Sequence, residues 1–525
     1  MNRWLVAALV LLTGLALGLR APRLALRPLH NDEAVNAMRF GLLWTSNSYS
    51  YDPNEFHGPT LPYLTLPAAW LDGAPDFDHF TESTFRAVTV AFGAALVLVL
   101  LLAAPELGRA ETLWAAGLTA ISPAMVFYSR YYIHEMLLVF FTALSFFGAW
   151  RYLQSARPLW ALASGIGLGL MAATKETFVF TVAAAAFSAV AAGVWSRWRD
   201  RDQPAFQPQW RRSHLLWALV VATAIALLFF SSFFRNPAGP RDAVRSYLPW
   251  LHRAGGATPH AHEWSFYFQR LLFFHSKGTP VWSEGFIAAL AAVGFCAALL
   301  GRGGAPPARC WRRLIAFYTL CLTLIYTALA YKTPWCLLGF YHGMILLAGM
   351  GAVVVWRACG SHWLRTLVLV ALAGGSGQLA WQACAENFAV DKGGVPYCDS
   401  PKNPYVYSQT VPDALRLVRT VEAIAQVSPQ GYEMVLEIMG PESCWPLPWY
   451  LRRFKNIGDW DEIPNRPLAP IMIVSTTLHA AFDDRPEKTH LMAGYFELRP
   501  GVFFELYVSL DLWRAYIKTL PPEDN

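Results

Sequence analysis

Two adjacent carboxylates, Asp32 and Glu33, follow the first apolar run of the chain, Trp4–Leu19. In the order His30-Asn31-Asp32-Glu33 they stand where a chain would leave a bilayer. A charge beside lipid is costly unless it is solvated, paired or used in chemistry. A carboxylate placed there can take or orient the proton of an acceptor hydroxyl. Charged groups recur at the ends of later apolar runs. Ser129-Arg130-Tyr131-Tyr132-Ile133-His134-Glu135 carries Arg130, His134 and a second acid, Glu135. Thr174-Lys175-Glu176-Thr177 and Tyr331-Lys332-Thr333-Pro334-Trp335 each bring a lysine, a compact cation suited to a phosphate.

Each position also has a plainer reading. Asn31 or Asp32 can cap a helix over 33–43, with Glu33 favoured by the helix dipole. Tyr131 and Tyr132 can anchor at the interface, Arg130 and Lys332 can snorkel, and Lys175 can pair with its neighbour Glu176.

These residues need elements to hold them. Of 525 residues, 55% are hydrophobic and 15% charged, and mean hydropathy is +0.31. A soluble domain carries about a quarter charged residues, so the composition indicates a multi-pass membrane protein. The 22 Trp and 33 Phe suit membrane interfaces. Apolar segments of bilayer length are expected at 4–19, 84–104, 112–129, 136–153, 159–173, 176–195, 214–234, 284–300, 314–331, 336–356 and 364–381, about eleven spans. The first reads as an uncleaved span rather than a signal peptide, because no small-x-small cleavage site follows it.

Loop charge predicts orientation. Arg197, Arg199, Arg201, Arg211 and Arg212 fall in one loop, and Arg302, Arg309, Arg312 and Arg313 in another. Arg357 and Arg365 bracket a third. The excess of arginine predicts a cytoplasmic position for all three. It leaves the loops 20–83 and 235–283, the turns at 129–135, 174–177 and 331–335, and a tail from 385 on the opposite face. The basic residues lie in short loops between spans, so the net charge of +6 is no nucleic-acid signal.

The loop 235–283 holds His260-Ala261-His262-Glu263, with His252 and His275 nearby, and the cations Arg235, Arg241, Arg245, Arg253, Arg270 and Lys277. The histidine spacing lacks the i, i+4 pattern of a zinc hydrolase helix. No metal site is assigned, and a divalent cation stays open as the one possible cofactor. The tail is expected to form a small α/β domain, with a helix over 413–426, strands over 434–439 and 471–475, and a short helix over 445–453. Cys384, Cys398 and Cys444 leave a disulfide open beside free thiols.

An acid that handles a hydroxyl proton and cations that neutralise a departing phosphate are the parts of glycosyl transfer from a polyprenyl-phosphate sugar. The order of first span, Asp-Glu, long loop and Ser-Arg-x-x-x-x-Glu resembles the GT-C glycosyltransferases of the protein O-mannosyltransferase type, glycosyltransferase family 39. His30-Asn31-Asp32-Glu33-Ala34, His57-Gly58-Pro59, Thr174-Lys175-Glu176, Lys332-Thr333-Pro334-Trp335, Asn403-Pro404-Tyr405-Val406-Tyr407 and Trp445-Pro446-Leu447-Pro448-Trp449-Tyr450 are similar to the flippase activity-associated mannosyltransferase-like branch. The resemblance implies a GT-C helix bundle over 1–384 and an extracytoplasmic α/β domain over 385–525. It implies an inverting hexosyltransferase of the plasma (inner) membrane, using a dolichyl- or undecaprenyl-phosphate hexose and a protein, lipid or glycan acceptor.

Asp32 would be the base, Glu33 its companion and Glu135 the second acid, where the best-understood relatives often have Asp. His30, His57, Arg130, His134, Lys175 and Lys332 would bind substrate. A non-enzymatic accessory protein of lipid-linked sugar translocation, or a transporter, is the alternative. A transporter should break its spans in mid-bilayer, whereas here the charges collect at span ends.

Overall fold

The computed structural model describes residues 3–54, 57–202, 206–250, 260–301 and 305–520. His252, Arg253 and Arg302 lie outside these ranges. The chain forms two compact units. The first comprises Met1–Leu24, Leu42–Gly73 and Ser83–Tyr407, and the second Ala25–Gly41, Ala74–Glu82 and Ser408–Asn525.

The first unit is helical, and a helix stands at each of the expected spans. Among the described residues seven are long and apolar enough to cross a membrane: Arg3–Arg20, Glu82–Leu102, Glu135–Ser155, Phe178–Arg199, Arg212–Phe230, Pro334–Ala358 and His362–Phe388. Pro158–Ala172 and Gly285–Leu300 are shorter apolar helices. The expected span at 112–129 is two helices, Arg109–Ile121 and Pro123–Ser129. Pro123 cannot donate to the preceding turn, so the helix restarts there, capped by the Ser122 hydroxyl on Met125 N.

The span expected at 314–331 begins earlier, as Pro306–Ala328. Paired prolines suit a first helical turn. Arg309, Arg312 and Arg313 therefore ride on the helix rather than in a loop. Arg313 is fully buried and donates to Asp200 at 2.7 Å, with Arg309 on the same carboxylate at 3.1 Å.

Small residues let helices approach closely in an apolar environment. A Cβ on Gly351 would lie 1.9 Å from the Leu290 carbonyl oxygen, so the helices Leu338–Ala358 and Gly285–Leu300 touch backbone to backbone there. A second device joins distant segments. The buried Glu284 carboxylate accepts from Ser122 Oγ at 2.7 Å, Ala124 N at 2.8 Å, Tyr341 OH at 2.5 Å and Tyr405 OH at 2.6 Å. A buried carboxylate is tolerated when its lone pairs are satisfied in this way.

The second unit carries a five-stranded sheet in the order β2-β1-β3-β5-β4. Its strands are β1 Val435–Met439, β2 Asn456–Trp460, β3 Ile471–Ser475, β4 His490–Arg499 and β5 Val502–Ser509. β1 pairs in parallel with β2 and β3, while β5 runs antiparallel to β3 and β4. The helix Pro412–Gln426 buries Leu417, Val421 and Ile424 with Leu436, Ile438, Ile471 and Ile473 from one face of the sheet. Met439, Met472, Val474 and Tyr507 cluster with Phe482 on the other.

The expected helix over 445–453 shrinks to Leu447–Tyr450. Among the described residues no cysteine forms a disulfide.

Candidate active site

In the second unit, the helix Asn31–Ser46 begins at the acidic pair. Its cap is His30, ahead of both expected caps, Asn31 and Asp32. His30 Nδ1 accepts from Asp32 N at 3.1 Å, and Glu33 Oε2 accepts from His30 N at 2.9 Å. This is the reciprocal logic of a capping box with an imidazole in place of a hydroxyl. Glu33 is fully buried and also accepts from both terminal nitrogens of Arg27, at 2.9 and 3.3 Å.

The two acids therefore separate. Glu33 holds the helix start. Asp32 is partly exposed, and among the described residues nothing bonds its carboxylate. The backbone just before is pinned from the tail: Leu29 N donates to Tyr450 OH at 2.8 Å, and Leu29 O accepts from Thr410 Oγ1 at 2.8 Å. The Trp445–Tyr450 motif thus helps position the Asp32 turn. Neither Thr410 nor Tyr450 was expected at the site, since nothing local marks a partner hundreds of residues away.

In the first unit, the turn after Pro158–Ala172 and the start of Glu135–Ser155 bring four expected residues together: His57, His134, Glu135 and Lys175. Lys175 Nζ pairs with Glu135 Oε1, both side chains buried. Lys175 does not pair with its neighbour Glu176. That carboxylate instead meets His57 Nδ1 at 2.9 Å and Tyr51 OH at 2.9 Å. Burial works against the charge on each member. For Lys175 the Glu135 carboxylate outweighs burial and holds the ammonium above its usual range. For Glu176 the His57 ring does the same and holds the carboxyl below its usual value.

His134 Nε2 donates to the Gly58 carbonyl at 3.0 Å. Burial, then the nearby His57 and Lys175, push its pKa well below the usual value and keep the ring neutral. Gly58 is what brings this loop in. Its N donates to Thr174 O at 3.0 Å, and a Cβ there would fall 2.1 Å from the Ala173 oxygen.

Lys332 sits in a different setting. Its Nζ donates to the carbonyls of His262, at 3.0 Å, and Leu329. It is 1% exposed, yet among the described residues no carboxylate pairs with it. His260 Nδ1 and His262 Nε2 both reach Tyr407 OH, at 2.8 and 2.9 Å. The His262 ring stacks on Phe266 at 4.2 Å, and the Arg270 guanidinium lies 3.6 Å from the centre of that Phe266 ring. Among the described residues Arg270 bonds the Phe266 carbonyl alone, its buried Nε has no partner, and no carboxylate pairs with it. Burial pushes the pKa of both Lys332 and Arg270 down.

An aromatic line joins the two groups. His57 rests edge-on to His134 and stacks on Trp250 at 5.5 Å; Trp250 meets Tyr331, and Tyr331 meets His260 at 5.1 Å. The motif Asn403–Tyr407 serves both devices, through Tyr405 on Glu284 and Tyr407 on the histidines.

Arg130 stands apart. Its guanidinium donates to the carbonyls of Arg20 and Pro22 at 2.6 Å and of Arg23 at 3.0 Å, covering the open end of the helix Arg3–Arg20. Among the described residues no group of three or more His, Cys, Asp or Glu is arranged to hold a metal ion.

Residues 67–235 match the family described as dolichyl-phosphate-mannose-protein mannosyltransferase, PMT. No curated protein sequence matches the chain. ArnT from Cupriavidus metallidurans bound to undecaprenyl phosphate is similar at a TM-score of 0.63 and 15% identity, over 96% of this chain and 98% of that one. The Archaeoglobus fulgidus oligosaccharyltransferase, tethered with an acceptor peptide, is similar at a TM-score of 0.55 and 12% identity, over 87% of this chain and 64% of that one. At these identities the likeness is one of fold. Over residues 67–235 the chain thus resembles the PMT family, and its helix bundle shares the fold of these two structures.

Proposed function

We propose that this protein transfers a hexose, mannose-like, from a polyprenyl-phosphate donor to a protein, lipid or glycan acceptor at the extracytoplasmic membrane face, with inversion at the anomeric carbon. The observation that carries the reading is the pair of cations Lys332 and Arg270. Both are disfavoured by burial and lack a carboxylate partner among the described residues. A phosphate arriving beside them would supply the missing charge. The ArnT structure holds undecaprenyl phosphate, which agrees with a donor of that class.

Asp32 takes the proton of the acceptor hydroxyl. The hydroxyl oxygen bonds to the anomeric carbon as the bond from that carbon to the phosphate oxygen breaks. The polyprenyl phosphate leaves with its charge met by Lys332 and Arg270. In the first unit Glu135, already paired with Lys175, His57 and the neutral His134 offer polar groups to the substrate. Glu33 and His30 fix the Asp32 turn. The eleven expected spans cross the membrane, and the tail lies on its extracytoplasmic face.

Asp32→Asn removes the proton acceptor and should slow transfer from a polyprenyl-phosphate mannose donor by about 10²–10⁴-fold, with unchanged folding in detergent. Undiminished turnover by the folded variant would remove the assignment.

A further inference from the structure

The helix Arg212–Phe230 ends in a turn of unusual backbone. Ser232, Phe233 and Phe234 are all left-handed, with φ of 51°, 54° and 71°. For residues other than glycine each such conformation costs about 1–3 kcal/mol and persists only where the surroundings enforce it. The enforcing contacts converge on Ser232. Its Oγ accepts from Tyr49 N at 2.8 Å and is bonded to Tyr63 OH at 2.6 Å. The Ser231 hydroxyl accepts from Phe234 N at 3.1 Å.

The turn directs two things. It sends Phe233 and Phe234 outward, 49% and 79% exposed, at the end of a span, where aromatic side chains meet the membrane interface. It also returns Arg235 to the Asn47 carbonyl. Arg235 there borders an open pocket of about 370 Å³, walled by Trp44, Tyr63 and Trp70 with Leu43 and Leu66. Among the described residues Arg235 has no carboxylate partner. The one nearby acid on the same segment, Asp242, is shared by Arg241 and Arg245.

We propose that this pocket binds the head group of an anionic membrane phospholipid. The Arg235 guanidinium takes the phosphodiester, which it can meet with two parallel hydrogen bonds. Trp44, Tyr63 and Trp70 hold the glycerol and upper acyl carbons, as aromatic rings with an apolar body and a polar edge do at the lipid boundary. Arg241 and Arg245 add long-range attraction for negative lipid. The site is built from the 42–73 segment and the 231–235 turn, and uses none of the residues assigned to transfer.

The test uses the full-length protein in nanodiscs of equal parts phosphatidylcholine and phosphatidylglycerol, then native mass spectrometry of the lipid retained. The wild type should keep one phosphatidylglycerol that Arg235→Gln releases, with an affinity about tenfold lower in the variant, the loss of one charge-assisted contact. Trp70→Ala, at a residue 66% exposed and so remote from the core, should lose the same lipid independently. Equal phosphatidylglycerol retention by wild type and both variants would overturn the proposal. So would retention of phosphatidylcholine to the same degree, or displacement of the lipid by inorganic phosphate.

Discussion

The turns at 174–176 and 331–333 look alike in the sequence. Each is a short link between apolar helices, each carries one lysine, and each is a candidate for a lipid phosphate. In three dimensions they are opposites. Lys175 is buried against Glu135 and its charge is already answered. Lys332 is as deeply buried, and among the described residues its ammonium bonds carbonyl oxygens and no carboxylate. The counter-ion, not the residue type or the depth, separates the two lysines; under the proposed function it also separates a cation that builds the site from one that meets the phosphate.

Three substitutions test that contrast. The largest effect is expected from Glu135→Gln, which strands Lys175 in the interior. Breaking a buried pair from one side costs about 3–5 kcal/mol, readable as a fall in the unfolding temperature in detergent. A change no larger than that of a surface substitution would mean that Lys175 has another counter-charge.

Lys332→Gln should do the reverse: little change in unfolding temperature, and turnover lower by about 10²-fold or more once a developing phosphate charge loses its partner. A destabilised but fully active variant would reverse the roles given to the two lysines.

The smallest effect concerns acid. Glu176 has a folded pKa below its ordinary value of 4.5, so its stabilising share is complete above that value and fades as pH falls through the lower folded value. Glu176→Gln should flatten the acid limb of the stability profile. Parallel losses for wild type and variant below about pH 4.5 would show that His57 does not hold this carboxylate.

The helices were legible because bilayer length and apolar runs are local properties. Their charged ends were legible too, since Asp32, Glu135, Lys175 and Lys332 interrupt that pattern. Partners were not. Glu176 takes His57 and Tyr51 from more than a hundred residues away, and Tyr407 gathers His260 and His262 across about as wide a gap. No periodicity links such positions. Arg130 reads as a snorkelling or substrate-binding cation but closes the end of a helix, because free carbonyls are invisible in a side-chain pattern.

In the tail, β1 and β3 show as buried apolar runs. β2, with the sequence Asn-Ile-Gly-Asp-Trp and largely open to solvent, carries no such signal. The hairpin of β4 and β5 turns at Pro500-Gly501, but its strands mix polar and apolar residues and show no long apolar run.

The Glu284 knot also has a history in time. Its donors stand 162 residues before it, at Ser122, and 57 and 121 residues after it, at Tyr341 and Tyr405. Synthesis runs from the N-terminus and delivers Tyr405 last. Until then the acid must wait beside the bilayer with half of its tyrosine partners missing. The nascent first unit is therefore incomplete after its final helix, and becomes itself only when a stretch of some twenty residues beyond that helix has emerged and folded back.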